Sequence, residues 1–537
     1  MATPNLKLSA ALKALQRLQD RHAGVVESAD LSPAHRRLLT GGGFLRPVIK
    51  GWYVCAKPSD APGASTVWFA SFWAFLSGYL AKRFGKRYCL NPEASLLLHV
   101  GNTVVPPQVV AATRLGGNNV LRLPHGTSLL TYQDETRVPR TRVDLRGLQL
   151  FPLAEALCRV GPHWFEAYPR DAQIAIAQVR DLADLLAVLL EGEGLPAAAG
   201  RLAGALRFCG RRDDADRLLK TMRAALFEVR ETNPFAIAAP ALIRTSARSP
   251  HARRIALLWA DWREAVIAAS PPAGKTSADA RVLLASVDER YASDAYNSLS
   301  IEGYQVSDAL IARVARRGWN PDDDPADGRD RDALAARGYY DAFRCVRTSI
   351  THIVDVRPRP TGAPASVRAA RLADRCGEVL RREHHDWYAA LFGPGVQAGF
   401  LEARQLAGYR TGPVYIRGSR HVPLPREALP DAMEALFDCI AHEPDAAARA
   451  VLAHHLFAFI HPYFDGNGRI ARFLMNALLV TGGYPWTVVR VARRGAYMEA
   501  LEAASVGGDI IPFARFIAAE LRAGPAAGQR RRQTGKR

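Results

Sequence analysis

The stretch that decides the fold reads His461-Pro462-Tyr463-Phe464-Asp465-Gly466-Asn467-Gly468-Arg469-Ile470-Ala471-Arg472. An apolar run at 451–460 leads into it, and a second apolar run at 470–480 follows it. This pattern predicts two buried helices joined by a polar loop that opens the second helix. The first amides of a helix lack intrahelical acceptors and carry partial positive charge, so the loop favours binding of a phosphate.

The side chains of the stretch suit phosphoryl or nucleotidyl transfer. Arg469 and Arg472 are three positions apart, so they share a helix face and offer guanidinium donors to phosphate oxygens. Asp465 supplies a hard oxygen ligand of the kind that Mg²⁺ accepts, and His461 is the loop's one side chain that exchanges a proton near neutral pH. A base, a metal ligand and two arginines at a helix start together indicate chemistry on a nucleoside triphosphate.

The stretch also resembles the signature of the Fic family, His-Pro-Phe-x-Asp/Glu-Gly-Asn-Gly-Arg-x-x-Arg, and departs from it only at Tyr463. The resemblance implies Mg²⁺-ATP-dependent transfer of AMP to a Ser, Thr or Tyr hydroxyl of a protein. It implies that His461 is the base and that Asp465 holds Mg²⁺. The positions that it assigns to nucleotide binding are Gly466, Asn467, Gly468, Arg469 and Arg472.

A second motif, Ser298-Leu299-Ser300-Ile301-Glu302-Gly303, lies well upstream of the loop. Ser298 and Glu302 are four residues apart and therefore lie one above the other on a helix, which Gly303 is suited to end. The pattern resembles the family's inhibitory motif, Ser/Thr-x-x-x-Glu-Gly/Asn. On that resemblance Glu302 binds Arg472 and occupies the guanidinium that a γ-phosphate needs. A surface carboxylate without such a partner is the alternative.

A third stretch, 408–425, resembles the family's flap. Val414 and Ile416 alternate with Tyr415 and Arg417, which predicts an edge β-hairpin that turns at 418–419. A free strand edge registers an extended target segment by main-chain hydrogen bonds and would hold its hydroxyl near His461. The alternative is a surface hairpin that binds no segment.

The first 57 residues predict two helices followed by a hairpin, the order of a winged helix. The region is similar to the N-terminal winged helix of AbiEi-like antitoxins through a short helix, a glycine break and the stretch 49–53. The cations expected to meet DNA on the recognition helix and the wing are Arg36, Arg37, Arg46 and Lys50. A protein-binding or purely structural winged helix is the alternative.

The composition and the positions of turn and linker residues predict a mainly α, multidomain protein. The expected parts are a winged helix at 1–57, a small α/β domain at 58–160, a helical linker domain at 161–245, a Fic-like helical domain with a β-hairpin flap at 250–523, and a basic tail at 524–537. The net charge of +19 favours nucleic acid or acidic partners, or records an arginine-rich coding bias. The seven cysteines are scattered and form no Cys-x-x-Cys pair, which predicts a reducing cytoplasm. The N-terminus shows no secretory pattern, and no apolar run is long enough to span a bilayer, so we expect no membrane association.

The expected function is therefore a protein adenylyltransferase that is restrained by Glu302 and acts on an unidentified protein target or on itself. Two alternatives stay open. One is a DNA-binding, antitoxin-like transcriptional regulator whose Fic domain senses a nucleotide. The other is a Fic enzyme that uses another nucleotide or catalyses removal of AMP, because no residue in the sequence reads the base.

Overall fold

A computed structural model describes residues 4–22, 24–58, 65–114, 116, 118–191, 194–235, 249–274, 280–316, 330–354 and 364–523. The predicted tail at 524–537 lies outside these ranges, as do the expected boundary at 245 and residues 246–248, which separate two of the expected domains. The chain divides into two compact units, one formed by Met1–Leu242 with Val414–Pro423 and the other by Ile243–Pro413 with Leu424–Arg537. The mainly helical prediction is confirmed, with 21 α-helices and nine strands in the described part.

The described residues of the first unit form ten α-helices and nine strands. Its helices are α1 Pro4–His22, α2 Pro33–Gly41, α3 Thr66–Phe84, α4 Pro92–His99, α5 Leu153–Arg159, α6 Pro162–Ala167, α7 Pro169–Gln178, α8 Leu182–Leu189, α9 Pro196–Phe208 and α10 Arg212–Ala224. Its strands are β1 Val25–Glu27, β2 Leu45–Ile49, β3 Trp52–Cys55, β4 Tyr88–Leu90, β5 Gln108–Thr113, β6 Asn119–Arg122, β7 Ser128–Gln133, β8 Val143–Leu145 and β9 Leu148–Leu150.

The first part of this unit has the helix–strand–helix–hairpin order expected from 1–57. Helix α2 begins sharply because Pro33 occupies its first turn and the Ser32 hydroxyl accepts a hydrogen bond from the His35 amide. Strands β2 and β3 form the hairpin, and β1 pairs with β3 to give the antiparallel order β1-β3-β2. A small apolar core that includes Leu39 and Leu45 joins the helices to the sheet.

The region expected as a small α/β domain contains a four-stranded sheet in the order β4-β5-β7-β6. Strands β5 and β7 are parallel and the other pairs are antiparallel. Helix α3 supplies aromatic residues such as Phe72 and Phe75 to the core against this sheet. Residues 1–242 lie together in one of the two compact units, and the finer division at 1–57, 58–160 and 161–245 stays a prediction.

The predicted flap differs most from expectation. Residues 414–417 form no strand, and the segment 414–423 belongs to the first unit rather than to the predicted domain 250–523. The Gly418 amide donates to the Thr66 hydroxyl at 3.0 Å, and Tyr415 and Val422 pack on the core that α3 forms. A hairpin is absent because a side-chain acceptor and apolar contacts, rather than a neighbouring strand, fix this backbone.

The second unit is helical. Its helices are α11 Pro250–Ala269, α12 Ala280–Asp288, α13 Tyr291–Ile301, α14 Asp308–Ala315, α15 Arg331–Val354, α16 Ala365–Gln397, α17 Leu429–His442, α18 Ala446–Ile460, α19 Asn467–Thr481, α20 Arg494–Ser505 and α21 Ile511–Ala523. Helices α18 and α19 are buried on nearly every side, which explains their continuous apolar sequence. In the described part of the chain, no helix combines the length and apolar character needed to cross a membrane.

Candidate active site

The polar loop lies between α18 and α19, as the sequence predicts. Helix α18 ends at Ile460, and His461 takes a left-handed conformation with φ of 55°. Gly466, also left-handed with φ of 76°, precedes the first residue of α19. These two reversals of the backbone turn the loop over the start of α19, where unpaired amides attract an anion.

The imidazole of His461 is held in the neutral form that accepts a proton at Nε2. Its Nδ1 lies 3.2 Å from the Ala458 carbonyl oxygen. Because a carbonyl only accepts hydrogen bonds, Nδ1 carries the proton of the neutral ring and Nε2 keeps its lone pair. Burial lowers the pKa of His461 to about 4, so the ring is neutral at physiological pH.

The loop is held by Asn467 and Tyr463. The side-chain Oδ1 of Asn467 accepts a hydrogen bond from the Tyr463 backbone N–H at 2.9 Å. Its Nδ2 donates to the Tyr463 backbone carbonyl at 2.8 Å. The Tyr463 ring stacks on Tyr388 with centroids 3.8 Å apart, and its hydroxyl lies 2.9 Å from Nδ1 of His385. The Asn467 side chain, expected to hold the nucleotide, is therefore occupied by the loop's own backbone.

Arg469 is almost completely buried yet lies beside the exposed Asp465. Its Nη2 donates to Asp465 Oδ2 at 3.2 Å, and its Nε has no hydrogen-bond partner among the described residues. The rings of Tyr304 and Phe392 lie against the guanidinium, with centroids 5.2 and 5.1 Å away. Cation–π contacts of this kind stabilise the charge while leaving in-plane donors for another group.

Arg472 is bound by the upstream motif. Its Nε donates to the Ser298 hydroxyl at 2.8 Å, and its Nη2 donates to Glu302 Oε1 at 2.7 Å and to the Ser298 carbonyl at 3.1 Å. Nη1 has no partner among the described residues. A methyl group on Gly468 would lie 2.5 Å from Glu302 Oε1 and 3.2 Å from Arg472 Nη1, so this glycine leaves room for the ion pair over the start of α19. Gly303 follows α13 with φ of 90°.

The residues present fit a single divalent cation shared with phosphates. The Asp465 side chain is 61% exposed, and its Oδ1 accepts only the adjacent Gly466 amide at 2.7 Å. The described residues contain no group of three or more His, Cys, Asp or Glu side chains that would hold a metal alone. Mg²⁺ commonly binds through one or two carboxylates and substrate phosphates, which is the arrangement that Asp465 allows.

The remaining predicted positions lie in the first unit. Arg37 on α2 and Lys50 at the hairpin turn are exposed, whereas Arg36 donates to the Ser28 carbonyl at 2.6 Å. Arg46 is half-buried on β2. The four flap positions, Val414, Tyr415, Ile416 and Arg417, lie in the segment that packs near α3.

Two side chains next to the loop were not predicted. Tyr304 stacks on Arg469, and Arg410 hydrogen-bonds the His461 carbonyl at 2.8 Å. Tyr304 directly follows the motif 298–303 and Arg410 lies within the stretch 408–425, but neither position shows a pattern of its own. Their roles depend on contacts across more than 50 residues, which periodicity does not reveal.

Comparison with known proteins finds similarity in the region that contains this loop. A model described as the Fic/DOC family matches residues 382–479. The chain is similar to protein adenylyltransferase Fic of Nematostella vectensis, with 41% identity over 124 residues, 22% of this chain and 28% of the relative. It is similar to protein adenylyltransferase fic-1 of Caenorhabditis elegans, with 34% identity over 113 residues, 20% of this chain and 22% of the relative. The chain thus spans less than a third of the length of these relatives.

Among solved structures, the chain is similar to Fic-1 from C. elegans, with a TM-score of 0.33 and 18% identity over 69% of this chain and 88% of that chain. The matched family region, 382–479, contains the whole loop from His461 to Arg472. The C-terminal region of this chain therefore contains a Fic domain.

Proposed function

We propose that this chain is a protein adenylyltransferase that moves AMP from ATP to a Ser, Thr or Tyr hydroxyl and is restrained by Glu302. The observation that carries the proposal is the placement of neutral His461, the α19 amides and two buried arginines around one loop. Seven free cysteines are consistent with action in the cytoplasm. The protein target and self-modification are parts of the same proposal.

The proposed reaction is an in-line displacement. His461 Nε2 accepts the proton of the target hydroxyl, the oxygen forms a bond to the α-phosphorus, and the bond from that phosphorus to the β-bridging oxygen breaks to release pyrophosphate. Arg469, Arg472 and the first amides of α19 bind the outer phosphates and stabilise the charge that develops on them. Mg²⁺ held by Asp465 supplies further charge neutralisation when it is bound.

Glu302 restrains this reaction by competing for Arg472. The carboxylate accepts a hydrogen bond from Nη2 of Arg472, and the Ser298 hydroxyl accepts one from Nε. Among the described residues only Nη1 remains without a partner and available to a phosphate. A triphosphate that reaches the site must therefore bind without its full set of arginine contacts, and its α-phosphorus is misplaced for attack. Removal of the Glu302 carboxylate frees one N–H of Nη2 for a phosphate, while the other still donates to the Ser298 carbonyl.

The test is label transfer from ATP labelled at the α- or the γ-phosphate, with wild type, Glu302→Gly and Glu302→Gly/His461→Ala in buffer and in lysate. We expect protein-bound α-label to rise at least about tenfold in the first variant and to vanish in the second. Glu289→Gly, which removes an exposed carboxylate in the turn before α13, is the matched control and should behave as wild type.

Other outcomes choose between the alternatives. Bound label from the γ-position alone would mean a kinase-like reaction, and ATP binding without any label would favour a nucleotide sensor. Competition by GTP, CTP and UTP reports the base preference. Release of AMP from a labelled protein by wild type, but not by Glu302→Gly, would favour the reverse hydrolysis.

We also propose that residues 4–58 bind DNA. The observation that favours this is the antiparallel order β1-β3-β2 beside an exposed α2, with Arg37 and Lys50 open to solvent. A gel shift of the full chain against its own promoter, in a salt series, is the test. Sequence-selective, salt-sensitive binding would support autoregulation, and binding without sequence preference would reflect only the net charge of +19.

A further inference from the structure

Arg410 is a buried cation outside the signature loop. Its side chain is only 4% exposed, and among the described residues it forms no ion pair with a carboxylate. Burial lowers its pKa to about 10, against the raising effect of Glu427. Burying a guanidinium without a carboxylate costs free energy that hydrogen bonds to neutral acceptors must offset.

Among the residues that the structure describes, the hydrogen-bond acceptors of the Arg410 side chain are backbone carbonyls. Nε donates to His461 at 2.8 Å, Nη1 donates to Gly412 at 2.9 Å, and Nη2 donates to Leu424. The Arg410 backbone amide also donates to the Pro462 carbonyl at 2.9 Å. Arg410 therefore donates two hydrogen bonds to the loop that begins at His461, one from its side chain and one from its backbone.

The other two acceptors border the segment 414–423. Gly412 lies just before this segment and Leu424 follows it directly. The planar guanidinium fixes the two carbonyls relative to each other and to the carbonyl of His461, whose left-handed backbone needs support. The segment's two ends and the proposed base are thus held by a single rigid group.

We infer that Arg410 is a positioning residue that couples the backbone of His461 to both ends of segment 414–423. The inference rests on the proposed function, because it takes His461 as the base that accepts the proton of the target hydroxyl. It predicts that the alignment of the target hydroxyl with His461 depends on the guanidinium fork, while ATP binding by α19 does not. Lysine keeps the charge but lacks the fork, so it does not replace Arg410.

Arg410→Lys and Arg410→Met, each in the Glu302→Gly background, test the inference, and Arg426→Lys is the matched control. Arg426 is exposed and donates to the Thr411 carbonyl at 3.2 Å, so it contacts the same stretch without reaching His461. Three measurements are made on each full-length variant: ATP affinity by calorimetry, the rate of trypsin cleavage after the exposed Arg417, and α-label transfer. Melting curves identify any variant that fails to fold.

We expect ATP affinity within about twofold of the parent, cleavage after Arg417 faster by about tenfold, and label transfer slower by about 100-fold in both Arg410 variants. The control should match the parent in all three. Cleavage and transfer rates in Arg410→Lys equal to those of the control would overturn the inference. If Arg410→Met does not fold, Arg410→Lys still decides.

A fourth measurement separates positioning from simple support of the fold. Reaction of His461 with diethyl pyrocarbonate, followed by mass spectrometry across pH, reports the protonation of its ring without any turnover. The charges that face the ring are Arg410, which lowers its pKa, and Glu302 and Asp465, which raise it. The reaction midpoint should rise in Arg410→Met and stay near the parent value in Arg410→Lys, and equal midpoints in all three proteins would count against the coupling.

The measurements also distinguish the inference from the proposed function. Absence of label in the Glu302→Gly parent would contradict adenylyl transfer. Faster cleavage after Arg417 in the same experiment would still establish that Arg410 holds the segment. Unchanged cleavage with normal label transfer would reject the inference alone.

Discussion

The imidazole of His461 gives the first pH prediction. Its pKa is lowered to about 4 chiefly by burial, and a base acts only when it is neutral. In the Glu302→Gly variant, α-label transfer should therefore persist well below pH 6.5, the range in which an ordinary histidine becomes protonated. Initial rates measured from pH 4.5 to 8 check this, and a rate that halves near pH 6.5 would contradict it.

Tyr463, the one departure from the family signature, gives a stability prediction. Its hydroxyl contacts His385, while its ring stacks on Tyr388. Tyr463→Phe keeps the stacking and loses one hydrogen bond, so the free energy of unfolding should fall by about 1 kcal/mol with label transfer retained. Urea unfolding measures the change, and Tyr296→Phe, at an exposed tyrosine on α13, is the control that should show none.

Gly466 gives a prediction about backbone conformation. A Cβ at this position would lie 2.7 Å from Phe392 Cε2, and the left-handed φ of 76° strains any other residue. Gly466→Ala should therefore lower both the melting temperature and ATP affinity. Gly495→Ala, where an added Cβ meets nothing within 4 Å, is the control for a glycine exchange, and equal effects of the two substitutions would contradict the argument.

At the scale of elements, α13 presents a line of three polar groups spaced four residues apart: Asp294, Ser298 and the carboxylate that follows at Glu302. Asp294 is buried and accepts a hydrogen bond from the Tyr339 hydroxyl at 2.6 Å. Burial raises the pKa of Asp294 to about 6. The helix that carries the proposed inhibitory carboxylate is therefore anchored by a carboxyl whose pKa lies well above the usual range of an aspartate.

The sign of the resulting pH dependence follows from linkage. A raised pKa in the folded state means a contribution to stability that is full below about pH 4, the range of an unfolded aspartate, and is lost as the pH rises through about 6. The stability of wild type relative to Asp294→Asn should therefore fall between pH 4.5 and 6.5 and level off above. Denaturant midpoints at several pH values measure it, and a difference that grows with pH would reverse the assignment.

The two helices around the loop were predictable because their signal is local. Continuous apolar runs and two glycines specify α18, α19 and the reversal at Gly466 within 30 residues of sequence. The pair Glu302–Arg472 spans 170 residues, and its prediction came from the family resemblance rather than from periodicity. Arg410 was missed because its partners are backbone carbonyls, which have no signature in sequence.

At the scale of the whole molecule, the basic charge gives a test of DNA binding that uses the intact protein. Arg37→Ala and Lys50→Ala remove exposed cations of α2 and the hairpin turn. Each should weaken promoter binding and reduce the slope of affinity against salt by about one. Arg212→Ala, at the start of α10, is the control, and unchanged gel shifts in both variants would place any binding elsewhere.

The division of the molecule was less predictable than its helices. The sequence placed boundaries near 57, 160 and 245, where composition changes, whereas contacts join residues 1–242 and add 414–423 to them. Linker-like composition marks where a chain is able to bend, but it does not report which surfaces pack. The packing of Tyr415 and Val422 on the α3 core is therefore not predictable from composition.

The segment 414–423 belongs to the first unit although it lies within the sequence of the second, and this has a consequence for recombination between genes. A recombination event near residue 243 would transfer every residue from Ser298 to Arg472, yet the segment 414–423 would arrive without the core that it packs on in this protein. Exchange of the Fic domain between genes therefore carries a penalty here that a simple tandem arrangement lacks. Selection is expected to keep the segment 414–423 together with the part of the chain that supplies the α3 core, and to make the residues of that contact co-vary.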